Sequence, residues 1–338
     1  MIDRRTFVTA GAAATLLPGP LSSAQSGNWA QVERAAKAER EVVVYNTGVG
    51  LHRDVAGAFE ARTGIKVNFL DMRASELRER VRIEQSAGRF VTDICLNGST
   101  GSIVMDQLGQ FQPHGGLPNE ANLLDGFRDN GTRISIFQNV FGFMINTRLV
   151  PPADEPKSFA DLLHPRFKGK ILADDPRAAG EGYATFAVTY DKLGRDFQEK
   201  LAKQDLVFTR NLLEGAQRVA RGEYAVYFPQ KFSDYLLLKQ LPVKFIWPTE
   251  GSPYQTFMLA MARNAPHPNA ARLLMNFFLD PAGQAFYARS GRGVTVRGAL
   301  DDVPAEIREA LSAKLLGTTD AAREAEFLKL AKDVYGAS

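Results

Sequence analysis

Four short segments of this chain combine the residue types from which an anion site is built. They are Thr47-Gly48, Arg73-Ala74-Ser75, Gly98-Ser99-Thr100 and Arg177-Ala178-Ala179-Gly180-Glu181-Gly182-Tyr183. Each stands directly before a run with helical spacing, so its backbone N–H groups open a helix. Helix-start amides, hydroxyls and a guanidinium donate directional hydrogen bonds, which suits a carboxylate, a phosphonate or a phosphate. The candidate binding residues are therefore Thr47, Gly48, Arg73, Ser75, Gly98, Ser99, Arg177, Gly180, Gly182 and Tyr183, with Tyr227 as an aromatic wall. Taken singly, Ser75 and Ser99 read equally well as helix caps and Arg73 as a solvated charge; the set together favours ligand contact. Tyr45 fits a cleft wall or a core, and Glu250 either meets a ligand amine or, the favoured reading, makes a salt bridge in a hinge loop.

Catalytic templates are missing. The chain has no Gly-x-Ser-x-Gly elbow, no His-Glu-x-x-His helix and no cysteine paired by motif with a histidine. No carboxylate spacing marks a catalytic pair, so Asp174-Asp175 reads as a loop beside the site. The one cysteine, Cys95, lies in the apolar run Thr92 to Leu96 and reads as a buried strand thiol. His52, His114, His164 and His267 are scattered without ligand spacing and read as surface or capping residues. The expectation is no enzyme, no metal and no cofactor.

What positions the candidates is an alternation of β-rich and helical runs. The strand candidates are Glu41 to Asn46, Lys66 to Asp71, Thr92 to Leu96, Gly169 to Ala173, Asp205 to Thr209, Tyr224 to Phe228 and Val243 to Trp247. Between them, Asp54 to Arg62 and Ser75 to Ala87 carry apolar residues at helical spacing, as βαβ units with largely parallel sheets require. The proline- and charge-rich Pro151 to Lys157 separates two groups of strands, and a long run from Tyr254 to Met261 returns afterwards. The fold class is α/β, with crossovers placed near Asn146-Thr147 and Gly251 to Gln255. Residues 25–146 and 256–338 make lobe 1 with the C-terminal helices, and residues 147–255 make lobe 2.

The N-terminus reads as a signal peptide: Asp3-Arg4-Arg5, the apolar stretch Thr9 to Leu21, and a small-x-small site after Ala24. The paired arginines before Phe7 point to the twin-arginine route, an ordinary Sec signal being the other reading. Removing residues 1–24 leaves 39 basic and 37 acidic side chains, a net charge of +2 in place of +3. That balance argues against a nucleic-acid partner.

Further motifs resemble those of a known family. They include Val42-Val43-Val44-Tyr45-Asn46, Phe59-Glu60-Ala61-Arg62-Thr63-Gly64-Ile65-Lys66-Val67, Gly142-Phe143-Met144-Ile145-Asn146-Thr147 and Phe159-Ala160-Asp161-Leu162-Leu163-His164-Pro165-Arg166-Phe167-Lys168-Gly169-Lys170. Trp247-Pro248-Thr249-Glu250-Gly251 and His267-Pro268-Asn269-Ala270-Ala271 through Asp280-Pro281-Ala282-Gly283-Gln284 follow in order. In these the chain resembles the binding proteins of ABC importers related to the receptors for ferric ion, aminoethylphosphonate, thiamine and phosphorylated compounds. The resemblance implies a type II periplasmic binding fold, two βα lobes on a two-crossover hinge with the ligand in the cleft. It also implies a monomer in the periplasm working with an ABC permease at the inner membrane.

The chain departs from the ferric pattern, which carries two adjacent tyrosines in lobe 2 with a histidine and a carboxylate from lobe 1. Here Tyr224-Ala225-Val226-Tyr227-Phe228-Pro229-Gln230-Lys231-Phe232 holds no tyrosine pair, Thr47-Gly48-Val49-Gly50 stands at the histidine position and Asn97-Gly98-Ser99-Thr100 at the carboxylate position. Trivalent iron needs anionic oxygens, so the expected ligand is a small anionic or zwitterionic solute, with an atypical ferric or iron-chelate receptor as the alternative. A third reading is an exported nicotinamide-dependent oxidoreductase, from Gly48-Val49-Gly50 after a strand and Asp71 about twenty residues on. It is weak, because Arg53 holds the place of the third glycine.

Overall fold

Alternating apolar residues turn Glu41–Asn46 into β1, which buries Val42 and Val44 on one face and Tyr45 on the other. β2 (Lys66–Asp71) and β3 (Ile94–Gly98) pair with it in parallel. α2 (Leu51–Thr63) and α3 (Ala74–Ser86) make the crossovers, after α1 (Ser23–Glu39) has opened the described chain. The computed structural model describes residues 23–47, 50–127 and 131–336; Gly48 and residues 1–22 of the expected signal peptide lie outside them.

α4 (Ser99–Gln107) follows β3 directly, and the chain then enters β4 (Arg133–Asn146), a long strand absent from the sequence reading. The second lobe holds β5 (Ile171–Asp174), α5 (Glu181–Ala202), β6 (Val207–Thr209), α6 (Leu212–Arg221), β7 (Val226–Lys231), α7 (Phe232–Tyr235) and β8 (Val243–Ile246). β9 (Ser252–Met261) returns to the first lobe, followed by α8 (Pro268–Phe278), α9 (Pro281–Arg289), β10 (Gly293–Val294) and α10 (Ala305–Leu311). β11 (Leu315–Gly317) and α11 (Glu324–Tyr335) complete the order.

The strands run β2-β1-β3-β9-β4-β7-β5-β6. β4 belongs to both halves: Arg133 to Val140 pair with β9, whereas Phe141 to Ile145 pair with β7 and Phe143 to Asn146 with β8. The change of partner thus falls at Val140–Phe141, earlier than Asn146-Thr147. Gly142 sits at the change because a Cβ there would lie 2.5 Å from the Ile246 carbonyl oxygen.

Each lobe has its own core. Val44, Phe59, Ile94, Phe137, Leu259 and Phe278 are among the buried residues of lobe 1, and Phe143, Phe159, Ile171, Phe197 and Phe228 among those of lobe 2. The sequence assigned residues 256–338 to lobe 1 as a block. α8, α9 and α10 do pack there, but α11 docks on α5, burying Phe327 and Ala331 against Tyr183, Phe186 and Ala187 of lobe 2. Burying Phe327 alone is worth about 1.5–3 kcal/mol, and an amphipathic helix goes wherever such a face is free. β4 and the entry into β9 thus connect the lobes, and the C-terminal segment makes a further return to lobe 2.

Candidate functional site

β3 ends at Asn97-Gly98 and passes straight into α4, whose first turn receives no side-chain cap. Asn97, 2% exposed, accepts the Gly98 N–H on Oδ1 at 2.8 Å, while its Nδ2 has no hydrogen-bond partner. α3 presents Ala74 and Arg78, one turn apart, to the same space. This is the lobe 1 wall.

The lobe 2 wall begins where β5 ends. The Asp174 Oδ2 accepts the Gly182 N–H at 2.6 Å, and a Cβ on Gly182 would lie 2.5 Å from the Asp174 carbonyl oxygen. That contact brings the start of α5, with Ala179, Gly180 and Tyr183, to the cavity. Tyr183 is 3% exposed and its hydroxyl has no partner. Burial, with Glu324 as the next cause, pushes its phenol up to about 12, so it stays protonated. The docking of α11 supplies Glu324, and the turn Ala321–Arg323 just before it packs against α4 of lobe 1. Gln255, Thr256 and Phe257 of β9 form the floor. The cavity is half open to solvent, with a volume of about 260 Å³.

Of the predicted residues, the structure brings Gly98, Ser99, Gly180 and Tyr183 together around this cavity. Gly48 lies outside the described residues, and the other six lie elsewhere. Thr47 ties β1 to β3, its N–H and hydroxyl both donating to the Leu96 carbonyl. Arg73 is exposed ahead of α3, its N–H donating to Glu76. Ser75 faces a larger, more open hollow of about 960 Å³ on the outer side of α3, which is lined by lobe 1 alone. Arg177 is held by Asp175 at 2.8 Å and lies over the Phe208 ring, so its guanidinium organises the loop. Gly182 is buried against Asp174, and Tyr227 packs in the lobe 2 core against Gly215.

Arg78, Asn97, Gln255 and Glu324 line the cavity without having been chosen from the sequence. For Asn97 a signal existed, since it directly precedes Gly98-Ser99 at a strand end. Glu324 carries no local signal, because only the docking of α11 places it. Beside Gly180, the Glu181 carboxylate meets Lys231 Nζ at 2.6 Å, which fixes the start of α5 to the end of β7. Lys231 also meets Asp234 at 3.2 Å. Burial pushes the Glu181 pKa up despite Lys231.

Two histidines differ from the reading as surface or capping residues. His52 is fully buried, its Nδ1 2.7 Å from the Tyr287 hydroxyl, and burial holds its pKa down at about 3. His114 is also buried. His164 accepts the Arg166 N–H and His267 meets Asp93. Tyr45 is a core residue, its hydroxyl donating to Glu84, and Glu250 accepts the Phe159 N–H at 3.0 Å. Cys95 is buried and its thiol pKa is raised by that burial. Among the described residues no group of three or more His, Cys, Asp or Glu is placed to hold a metal ion. Among them, too, no helix is long and apolar enough to cross a membrane.

A ligand-sized cavity between two α/β lobes joined by shared strands is the architecture of a solute-binding protein. The chain matches the family model of bacterial extracellular solute-binding proteins over residues 105–312, and it belongs to that family. It is 25% identical over 281 residues to an uncharacterised protein of Haemophilus influenzae, which covers 78% of this chain and 80% of that one. The fold is similar to that of apo ferric ion-binding protein A of Pasteurella haemolytica, with a TM-score of 0.74 at 18% identity over 88% of this chain and 99% of that one. It is similar also to the periplasmic binding protein AfuA of Actinobacillus pleuropneumoniae, solved with fructose-6-phosphate, with a TM-score of 0.61 at 20% identity over 87% and 96%. The fold is thus the two-lobed type II periplasmic binding fold.

Proposed function

We propose that the chain is the solute receptor of an ABC importer. Exported to the periplasm by a signal peptide cleaved after Ala24, it works there as a monomer and carries out no catalysis. It captures a small anionic or zwitterionic solute, a phosphonate, phosphorylated compound or carboxylate, and offers the closed form to an inner-membrane permease. The observation that carries this reading is that Asn97 of lobe 1 and Tyr183 of lobe 2, each with a deeply buried and unpartnered polar atom, line one cavity between the lobes. A buried polar group left unsatisfied costs about 1–3 kcal/mol, so a ligand that satisfies one from each lobe favours the closed form by its differential contacts. The uncapped first turn of α4 and Arg78 add donors on the lobe 1 side.

The ferric alternative finds less support, because the cavity lining offers one carboxylate, Glu324, and one phenol kept protonated, Tyr183. The test is a thermal-shift screen of refolded, ligand-free protein against phosphonates, phosphate esters, carboxylates, amino acids, polyamines, ferric citrate and nicotinamide dinucleotides. A solute at a hundredfold its Kd adds about 2.7 kcal/mol. Stabilisation by an anionic or zwitterionic solute, weakened in Tyr183→Phe and Asn97→Ala, supports the receptor. A response confined to ferric citrate or polyamines overturns the anionic or zwitterionic solute and leaves a receptor, whereas one confined to dinucleotides sinks the receptor.

A further inference from the structure

We infer that the cleft selects zwitterions, with the solute's anionic group toward Arg78 and the start of α4 in lobe 1 and its ammonium toward Glu324 of α11. The inference rests on the cleft being the solute site and adds which solutes it admits. Arg78 and Glu324 are the two charged side chains that line the cavity, one from each lobe. Neither makes an ion pair or hydrogen bond with a described residue, although the charges around them are paired. Arg80 meets Glu84, Arg177 meets Asp175, and Arg323, next to Glu324, meets both Asp191 and Glu326. The two charges thus border one half-open space, Arg78 as an exposed side chain and Glu324 as a half-buried one.

The polarity of that space is divided. Donors gather on the lobe 1 side: the Arg78 guanidinium, the free Asn97 Nδ2 and the uncapped amides of α4. The one carboxylate, Glu324, comes from lobe 2, beside the protonated Tyr183 hydroxyl. A purely anionic solute satisfies the first group but meets repulsion from the second; an ammonium a few bonds from the anionic group answers both. The volume of about 260 Å³ lies below the roughly 300–1,000 Å³ of pockets for drug-sized ligands, which confines the solute to a small molecule. Because the two charges come from different lobes, such a solute also draws the lobes together.

Isothermal titration calorimetry with matched pairs tests this: 3-aminopropanoate against propanoate, 2-aminoethylphosphonate against ethylphosphonate, and phosphoethanolamine against ethyl phosphate. In at least one pair the amino-bearing member binds tighter by about tenfold or more, a factor of ten being ~1.4 kcal/mol. Glu324→Gln erases the difference, weakening the amino-bearing member and strengthening its partner as the repulsion goes, and that gain also shows that the variant folds. Arg78→Gln weakens both members. Equal affinities within every pair, or a preference that survives Glu324→Gln, overturns the inference and leaves the receptor standing. If no member binds, or binding is indifferent to both Arg78→Gln and Tyr183→Phe, the cleft is not the solute site and both readings fall.

Discussion

The Asp174 carboxylate and the Gly182 amide, 2.6 Å apart, hold the start of α5 against the end of β5 and so set where Gly180 and Tyr183 meet the cleft. A methyl on Gly182 has no room, since it would sit 2.5 Å from the Asp174 carbonyl oxygen. Gly182→Ala should cost about 1–3 kcal/mol by strain and shift this helix start. Urea unfolding together with a titration of the cleft solute reads both effects. An unchanged midpoint and affinity would show that the turn is not held this way.

Arg78, not Arg73, lines the cavity. Arg78→Ala should weaken solute binding by about tenfold or more, as loss of a charge-assisted contact of ~1.5–3 kcal/mol does. Arg73→Ala should leave affinity within about twofold, because Arg73 does not line the cavity. Calorimetry on the two variants side by side separates the faces of α3, and the reverse order would contradict the geometry.

His52 gives the protein an acid-sensitive core. Burial lowers its pKa from 6.5 to about 3 in the folded chain, so the folded state keeps it neutral while the unfolded state takes up a proton. Stability from this group is complete above pH 6.5 and is lost as pH falls toward 3, by roughly 4–5 kcal/mol at about 1.36 kcal/mol per unit. Denaturant titrations from pH 7 to 4 should show this slope, and His52→Gln should flatten it. A His52→Gln profile as steep as the wild type would remove His52 as the cause.

Lys231 and Glu181 are a pair in which removing one partner does more harm than removing both. Lys231→Met strands a buried carboxylate and should cost about 3–5 kcal/mol, whereas Lys231→Met with Glu181→Leu should recover most of that loss. A double-mutant cycle in guanidinium measures it. Additive losses would mean that the two side chains do not depend on each other.

α11 matters twice, through Phe327 in its packing and Glu324 at its start. Phe327→Ala should cost about 3–5 kcal/mol and weaken solute binding as well, because the helix that presents Glu324 is loosened. Hydrogen exchange of α11 and affinity should change together; an affinity left intact with α11 open would detach Glu324 from recognition.

Local pattern told much about this protein by itself. The alternation in Glu41–Asn46, the helical spacing around Leu77 and Val81, and the strand-to-helix step at Gly98-Ser99 follow from which side chains avoid water. Those rules act between neighbours and need no tertiary information. The same holds for the small residues at Gly180 and Gly182, whose place at a helix start is a matter of adjacent backbone.

What the tertiary structure alone decided is which of those elements meet and by which face. Ala74 and Arg78 look into the cleft while Ser75 looks outward, because the stripe carrying Leu77 and Val81 must bury and the neighbouring stripes then fall on either side. β4 escaped the reading because its residues are almost all buried, which removes the alternation that betrays a strand. Glu324 reaches the cavity because the apolar face of α11 finds its partner on α5 of the other lobe, a contact between segments far apart in the chain. Hydrophobic burial has no direction along the sequence, and so the pairing of distant faces, and with it the charges that line the cleft, exists only in the folded chain.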